Sequence, residues 1–181
     1  MGYTHYFKQS KPVSEEAWDK IKTDTKKIIK HQIKAGIPLE SNNSKNKSMV
    51  SSSEINFNGV DDDSHETFYI TNEKMEQFNF CKTARKPYDL AVTAALLIID
   101  HHAPEHFDIG SDGGIEGLFE AAKLNYELFG YGYKIPKSMQ DRSPEEISKH
   151  ESYFNAITTN KKLEAELPEN KAKKGIKRYK L

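Results

Sequence analysis

The chain has 181 residues, and its 27 basic and 27 acidic side chains cancel to a formal net charge of zero. A length of this order suits one domain with extensions rather than two full domains, and zero net charge excludes a global positive field for gripping duplex nucleic acid. The single cysteine, Cys81, excludes an internal disulfide and any cysteine-based zinc site.

Gly2–Gln9 alternates as a strand should, with Tyr3, His5 and Phe7 on one face and Thr4, Tyr6 and Lys8 on the other. Ser14 reads as an N-cap followed by Glu15 and Glu16, and Trp18, Ile21, Thr25, Ile28, Ile29 and Ile33 then recur at helical spacing. Gly36 and Pro38 stop that helix. Residues 38–53 include the polar run Ser41–Ser53 and are expected to be a mobile connector. Two short strands are expected at Glu54–Phe57 and Glu66–Thr71, joined through the hairpin signal Asn58-Gly59 and a longer loop across Asp61–Ser64.

Pro87 is expected to open a second helix that runs to about His102. Its centre, Leu90–Ile99, is apolar nearly all round, so neighbours must cover it on several sides. The run is interrupted by Thr93 and is about half a membrane span in length. No apolar leader precedes it, so cytoplasm is the expected location. His106–Gly110 reads as a strand, and Ser111–Gly114 as a glycine-rich turn into a third helix carrying Ile115, Leu118, Phe119, Ala122 and Tyr126. Ser143-Pro-Glu-Glu is a capping box that starts a fourth helix, expected to end near Thr159.

The order through Gly110 is β-α-β-β-α-β, which predicts an α+β fold with a ferredoxin-like split sheet and added C-terminal helices. The expected organisation is an α+β domain over 1–135, a helical extension over 136–160 and a basic tail over 161–181. Asn170–Leu181 carries six Lys/Arg and no acid, a composition typical of a solvated segment.

The chemistry concentrates at Cys81–Asp89, CKTARKPYD. Lys82, Arg85 and Lys86 fall within five residues, directly before a helix start, beside the Thr83 hydroxyl. Free amides and the positive end of a helix dipole would join a planar guanidinium and point-charge ammoniums, a common combination for phosphate. The glycines of a P-loop are missing. The bland alternative is a solvated basic loop with a helix cap.

The opening Met1–Tyr6 (MGYTHY), His65–Phe68 (HETF), Cys81–Asp89 and Ser111–Gly113 (SDG) together resemble a family of uncharacterised proteins found largely in tailed bacteriophages. The resemblance spans about residues 1–113 through short motifs, and the helical C-terminal part matches nothing in it. It implies a phage setting, where small accessory proteins act on host metabolism or defence, and it supplies no catalytic assignment.

Three functions follow as expectations. The first is a binding protein for an anionic, nucleotide-like small molecule, with Lys82, Thr83, Arg85 and Lys86 on the phosphate and His5, His65 and Tyr88 around the rest. Asp112 would cap the third helix, orient Arg85 or accept a ribose hydroxyl. The second is a phosphodiesterase or nucleotide hydrolase in which His5 and His65, lining the helix-free face of the sheet, act as metal-free acid and base. The third is an inhibitor that contacts a host protein through the acidic loop or the basic tail. Homo-oligomerisation is compatible with each. Asp61, Asp62, Asp63, His65 and Glu66 contain metal-ligating groups, but an Asn-Gly loop carries such residues to stay in water, and neither a metal nor a cofactor is expected. His101-His102 complements a helix C-terminus. Tyr126, Phe129, Tyr131 and Tyr133 read as packing, with one ring free in principle to stack on a base.

Overall fold

The computed structural model describes residues 3–42, 48–73, 77–141 and 143–166, the last five by backbone alone. In chain order the elements are β1 (Thr4–Gln9), α1 (Glu15–Lys34), β2 (Leu39–Glu40), β3 (Glu54–Gly59), β4 (Phe68–Thr71), β5 (Asn79–Lys82), α2 (Asp89–His102), β6 (Phe107–Ser111), α3 (Phe119–Phe129) and α4 (Pro144–Glu166). Short 3-10 turns lie at Asp61–Asp63, Glu116–Leu118 and Lys137–Met139. The fold is mixed α+β.

The alternation of β1 has a simple cause. His5, Phe7 and Gln9 are buried beneath the helices, while Lys8 faces water. Both edges of β1 are paired antiparallel, to β5 with His5 opposite Cys81 and to β6 with Phe7 opposite Ile109. The remaining strands form a second antiparallel sheet, β2-β3-β4, in which Ile55 faces Ile70 and Phe57 faces Phe68. The single split sheet expected from the element order is therefore divided into two three-stranded sheets. Two strands not expected, β2 and β5, take part. The Glu66 N–H donating to the Lys82 carbonyl at 3.2 Å stitches the segment before β4 to β5.

Ser14 caps α1 by accepting from the Ala17 N–H at 3.3 Å, as its sequence predicts. Trp18, Ile21, Thr25, Ile28 and Ile29 are buried, whereas Ile33, counted in the same stripe, is exposed. The buried face instead gains Asp24 and Gln32. Every residue from Ala91 to Ile99 is buried, because α1 and α3 both pack along α2 while its first turn covers β1. Each fully buried Leu or Ile there contributes about 1.5–3 kcal/mol.

Parts of the region expected as a connector pair with β3. Leu39 and Glu40 lie opposite Gly59 and Asn58, and Val50 bridges to Ile55 and is buried. Asn58-Gly59 does not make a tight hairpin; β3 runs through it. The Asn58 side chain clamps the following loop, accepting from the His65 N–H at 3.2 Å and donating to its carbonyl at 3.0 Å. A side chain at Gly59 would collide with the Asp63 carbonyl.

At the C-terminal end Phe154 stacks on Tyr133 at 4.7 Å, and His150 Nε2 donates to the Tyr133 carbonyl at 2.6 Å, fixing α4 to the domain. That helix continues to Glu166, past the stop expected near Thr159. The basic tail from 167 onward lies outside the described residues.

Candidate functional site

Thr83–Lys86 forms a tight turn, closed by the Lys86 N–H donating to the Thr83 carbonyl at 3.0 Å. Its two central residues, Ala84 (φ 51°) and Arg85 (φ 59°), are both left-handed, although neither is glycine. Such a pair costs on the order of 1–2 kcal/mol per residue and persists only where neighbours over-determine it. Here the Tyr3 carbonyl accepts from both the Thr83 and Ala84 N–H groups, at 3.0 and 3.1 Å. The Thr83 hydroxyl donates to the Asp89 carboxylate.

Asp89 is the first residue of α2, where its negative charge complements the helix dipole. The same Oδ1 lies 2.8 Å from His5 Nε2, and Thr93 Oγ1 lies 3.2 Å from that nitrogen. The Thr93 hydroxyl already donates to the Asp89 carbonyl at 2.9 Å. Nε2 therefore carries the proton and donates, which leaves Nδ1 buried with no partner among the described residues. His5, Thr83, Asp89 and Thr93 thus tie β1, the turn and α2 into one buried polar knot.

On the outer side of the knot, the exposed Arg85 guanidinium lies 4.0 Å over the Tyr3 ring. Tyr3 is held from below, where Gly113 and Gly117 leave room for its hydroxyl that any Cβ would take away. Burial raises the Tyr3 phenol above its ordinary range. Among the described residues, neither Lys82 nor Arg85 makes an ion pair. Lys86 is tied down, its Nζ donating to the Asp62 carbonyl at 2.5 Å. Of the amides at the helix start, Asp89 N–H bonds Lys86 and those of Ala91 and Val92 bond Tyr88, so fewer are free than the sequence suggested.

The other expected site residues separate. His5 has no exposed surface and sits on the helix-covered face, not the helix-free one, because it shares the parity of Phe7. His65 is exposed in the loop before β4. The two therefore do not face each other across the open side of the sheet. Tyr88 is buried, its hydroxyl donating to the Glu66 carbonyl at 2.7 Å. Asp112 neither caps α3 nor meets Arg85; its carboxylate accepts from the Thr4 N–H at 2.9 Å and the Tyr6 hydroxyl at 3.0 Å. Glu66 spends its carboxylate on the Lys82 N–H at 2.7 Å. Among the described residues no three His, Cys, Asp or Glu side chains converge as metal ligands.

Asp24, Thr93, Tyr3 and Glu66 carry roles that sequence reasoning did not assign. Asp24, buried in α1, lies 2.8 Å from His102 Nε2 and accepts from the Tyr131 hydroxyl at 2.8 Å. His101 stacks on the same Tyr131 ring at 4.6 Å, so both histidines and this tyrosine serve packing. Tyr3 was legible, since it precedes His5 and Phe7 on one strand face. Among the described residues no helix is long and apolar enough to cross a membrane. Comparison of the chain with protein-family models, curated proteins and solved structures gives no match.

Proposed function

We propose that this chain is a binding protein that holds a phosphate-bearing small ligand, a nucleotide or a nucleotide-derived signal, at the Lys82–Lys86 turn. The observation that carries the reading is Arg85: an exposed guanidinium on a left-handed residue, seated on the Tyr3 ring and free of any carboxylate among the described residues. Strain maintained by a buried polar knot beneath an unpaired arginine is an arrangement suited to a preformed anion site. Lys82, at the end of β5 and three residues before Arg85, makes no ion pair among the described residues and supplies a second cation.

Holding is favoured over cutting. His5, the one expected acid–base group near the turn, is enclosed and committed to Asp89, and His65 stands apart in its own loop. The resemblance to tailed-phage proteins supplies a setting, in which an accessory protein in the host cytoplasm sequesters an immune signal.

The test is calorimetric titration with a panel of linear and cyclic nucleotides, followed by recovery of the ligand after denaturation. One of them binds and is recovered intact, and Arg85→Ala and Lys82→Ala each lose binding with the melting temperature unchanged. Recovery of a cleaved product would replace the reading with a hydrolase. No binding by the wild type would remove it.

A further inference from the structure

The face of the β5-β1-β6 sheet turned away from the helices carries an unusual set of side chains. Antiparallel register places Phe80 opposite Tyr6 and Lys82 opposite Thr4, so these four share that face with Lys8. Phe78, just before β5, stacks on the Tyr6 ring at 5.8 Å with 24° between planes. Phe78 is 56% and Phe80 53% exposed, the highest values among the large hydrophobic residues described. Two phenylalanines left in water on adjacent positions of one face oppose the usual burial of such rings.

The rings are also held in place. The Tyr6 hydroxyl donates to Asp112, which fixes the ring's orientation. Across the sheet from Tyr6 stands Gly110, which has no side chain, so that flank of the ring is uncovered. No aliphatic residue of β1 or β5 joins the rings on this face; their companions are Thr4, Lys8 and Lys82. Aromatic rings interleaved with lysines are poorly suited to a dry protein interface and well suited to alternating bases and phosphates. Asp108 opposes Lys8 at one end, and the carboxylates of Glu66 and Asp112 reach the backbone of Lys82 and Thr4 at the other, so the rings rather than a positive field distinguish this face.

We propose that this face binds a short single-stranded nucleic acid, with bases stacked on Tyr6, Phe78 and Phe80 and phosphates met by Lys82 and Lys8. Stacking requires bases free of a duplex, which agrees with a chain of zero net charge that has no field to hold paired strands. The inference rests on the rings and not on the Thr83–Lys86 turn, so either can fail alone.

Fluorescence anisotropy with labelled oligouridylate and oligothymidylate of about a dozen nucleotides tests it. Wild-type protein binds at least one strand, more weakly as salt rises, and a duplex of equal length does not compete. Phe78→Ala and Phe80→Ala, both on exposed rings and expected to melt as the wild type does, each weaken binding roughly five- to hundredfold. Preference for one strand keeps the proposal, and oligodeoxyuridylate, which shares its base with one strand and its sugar with the other, then separates base from sugar. Absence of binding to both strands at low salt overturns it, as does unchanged affinity in both variants. A concentration-dependent dimer that Phe80→Ala converts to monomer also overturns it, assigning the face to a second copy of the chain.

Discussion

His5 and Asp89, 84 residues apart in the chain, meet with Nε2 2.8 Å from Oδ1 beneath the first turn of α2. That contact joins the first strand to the segment richest in cations. The left-handed turn above it depends on the same carboxylate through Thr83. A stability element and a recognition element are therefore built on one side chain.

Asp89→Ala removes the acceptor for both Thr83 and His5 and strands two donors in a buried site. The expected loss is about 2–4 kcal/mol in urea unfolding, with about half of that for Asp89→Asn, which keeps one oxygen and the shape. An effect below about 0.5 kcal/mol for the alanine variant would show that the knot does not hold the turn.

Gly117→Ala sets a methyl group against the Tyr3 hydroxyl. The expected cost is about 1–3 kcal/mol. Tyr3→Phe removes the atom that the new methyl meets. In a double-mutant cycle the pair should destabilise by clearly less than the sum of the two single changes. Strict additivity would mean that Tyr3 is not seated where its hydroxyl fills the glycine gap.

Much of this was legible in the chain, and the exceptions have physical causes. Ser14, the Trp18–Ile29 stripe and the all-apolar Leu90–Ile99 marked two helices because burial acts directly on their periodicity. Asn79–Lys82 was missed because NFCK is short and polar at its ends, and its pairing with β1 is non-local. The direction of His5 was readable from its parity with Tyr3 and Phe7, but the expectation of a helix-free face overrode it. Asp89 lay inside the motif with its partner Thr83, but its role was hidden because the other partner of its carboxylate, His5, is 84 residues upstream. Asp112 shows the limit most clearly: a turn residue before a helix suggests a cap, and only the register of β6 on β1 turns its carboxylate to Thr4 and Tyr6.

Cys81 has no exposed surface, and burial pushes its thiol up to about 12, against a smaller opposing effect from the Tyr88 hydroxyl. Native protein at pH 8 should not react with a disulfide-exchange reagent over minutes, and one thiol per chain should react at once in denaturant. Rapid reaction without denaturant would show that β5 opens from the sheet.

Burial lifts the Asp100 carboxyl to about 6. Between its ordinary value and pH 6 the native state keeps a proton that the unfolded chain has released, so this group makes stability fall as pH rises through that window. Asp100→Asn should raise stability at pH 7 by about 1–2 kcal/mol, a figure reduced for partial exposure, and the gain should vanish near pH 4. His150 acts with the opposite sign. Burial lowers its imidazole, so the unfolded chain takes up a proton first and stability is lost as pH falls below the usual histidine range. Denaturant midpoints of wild type and Asp100→Asn from pH 4 to 8 check both; curves that stay parallel would contradict the assignment to Asp100.

The most direct measurement compares wild type with Arg85→Ala by calorimetric titration against the nucleotide that the wild type retains. The guanidinium stands outside the buried knot, over the Tyr3 ring, so its removal should leave the melting temperature within about 2 °C. Affinity should fall at least about tenfold, by the loss of a charge-assisted contact worth about 1.5–3 kcal/mol. Equal affinity of the two proteins would contradict the claim that this turn is a phosphate site.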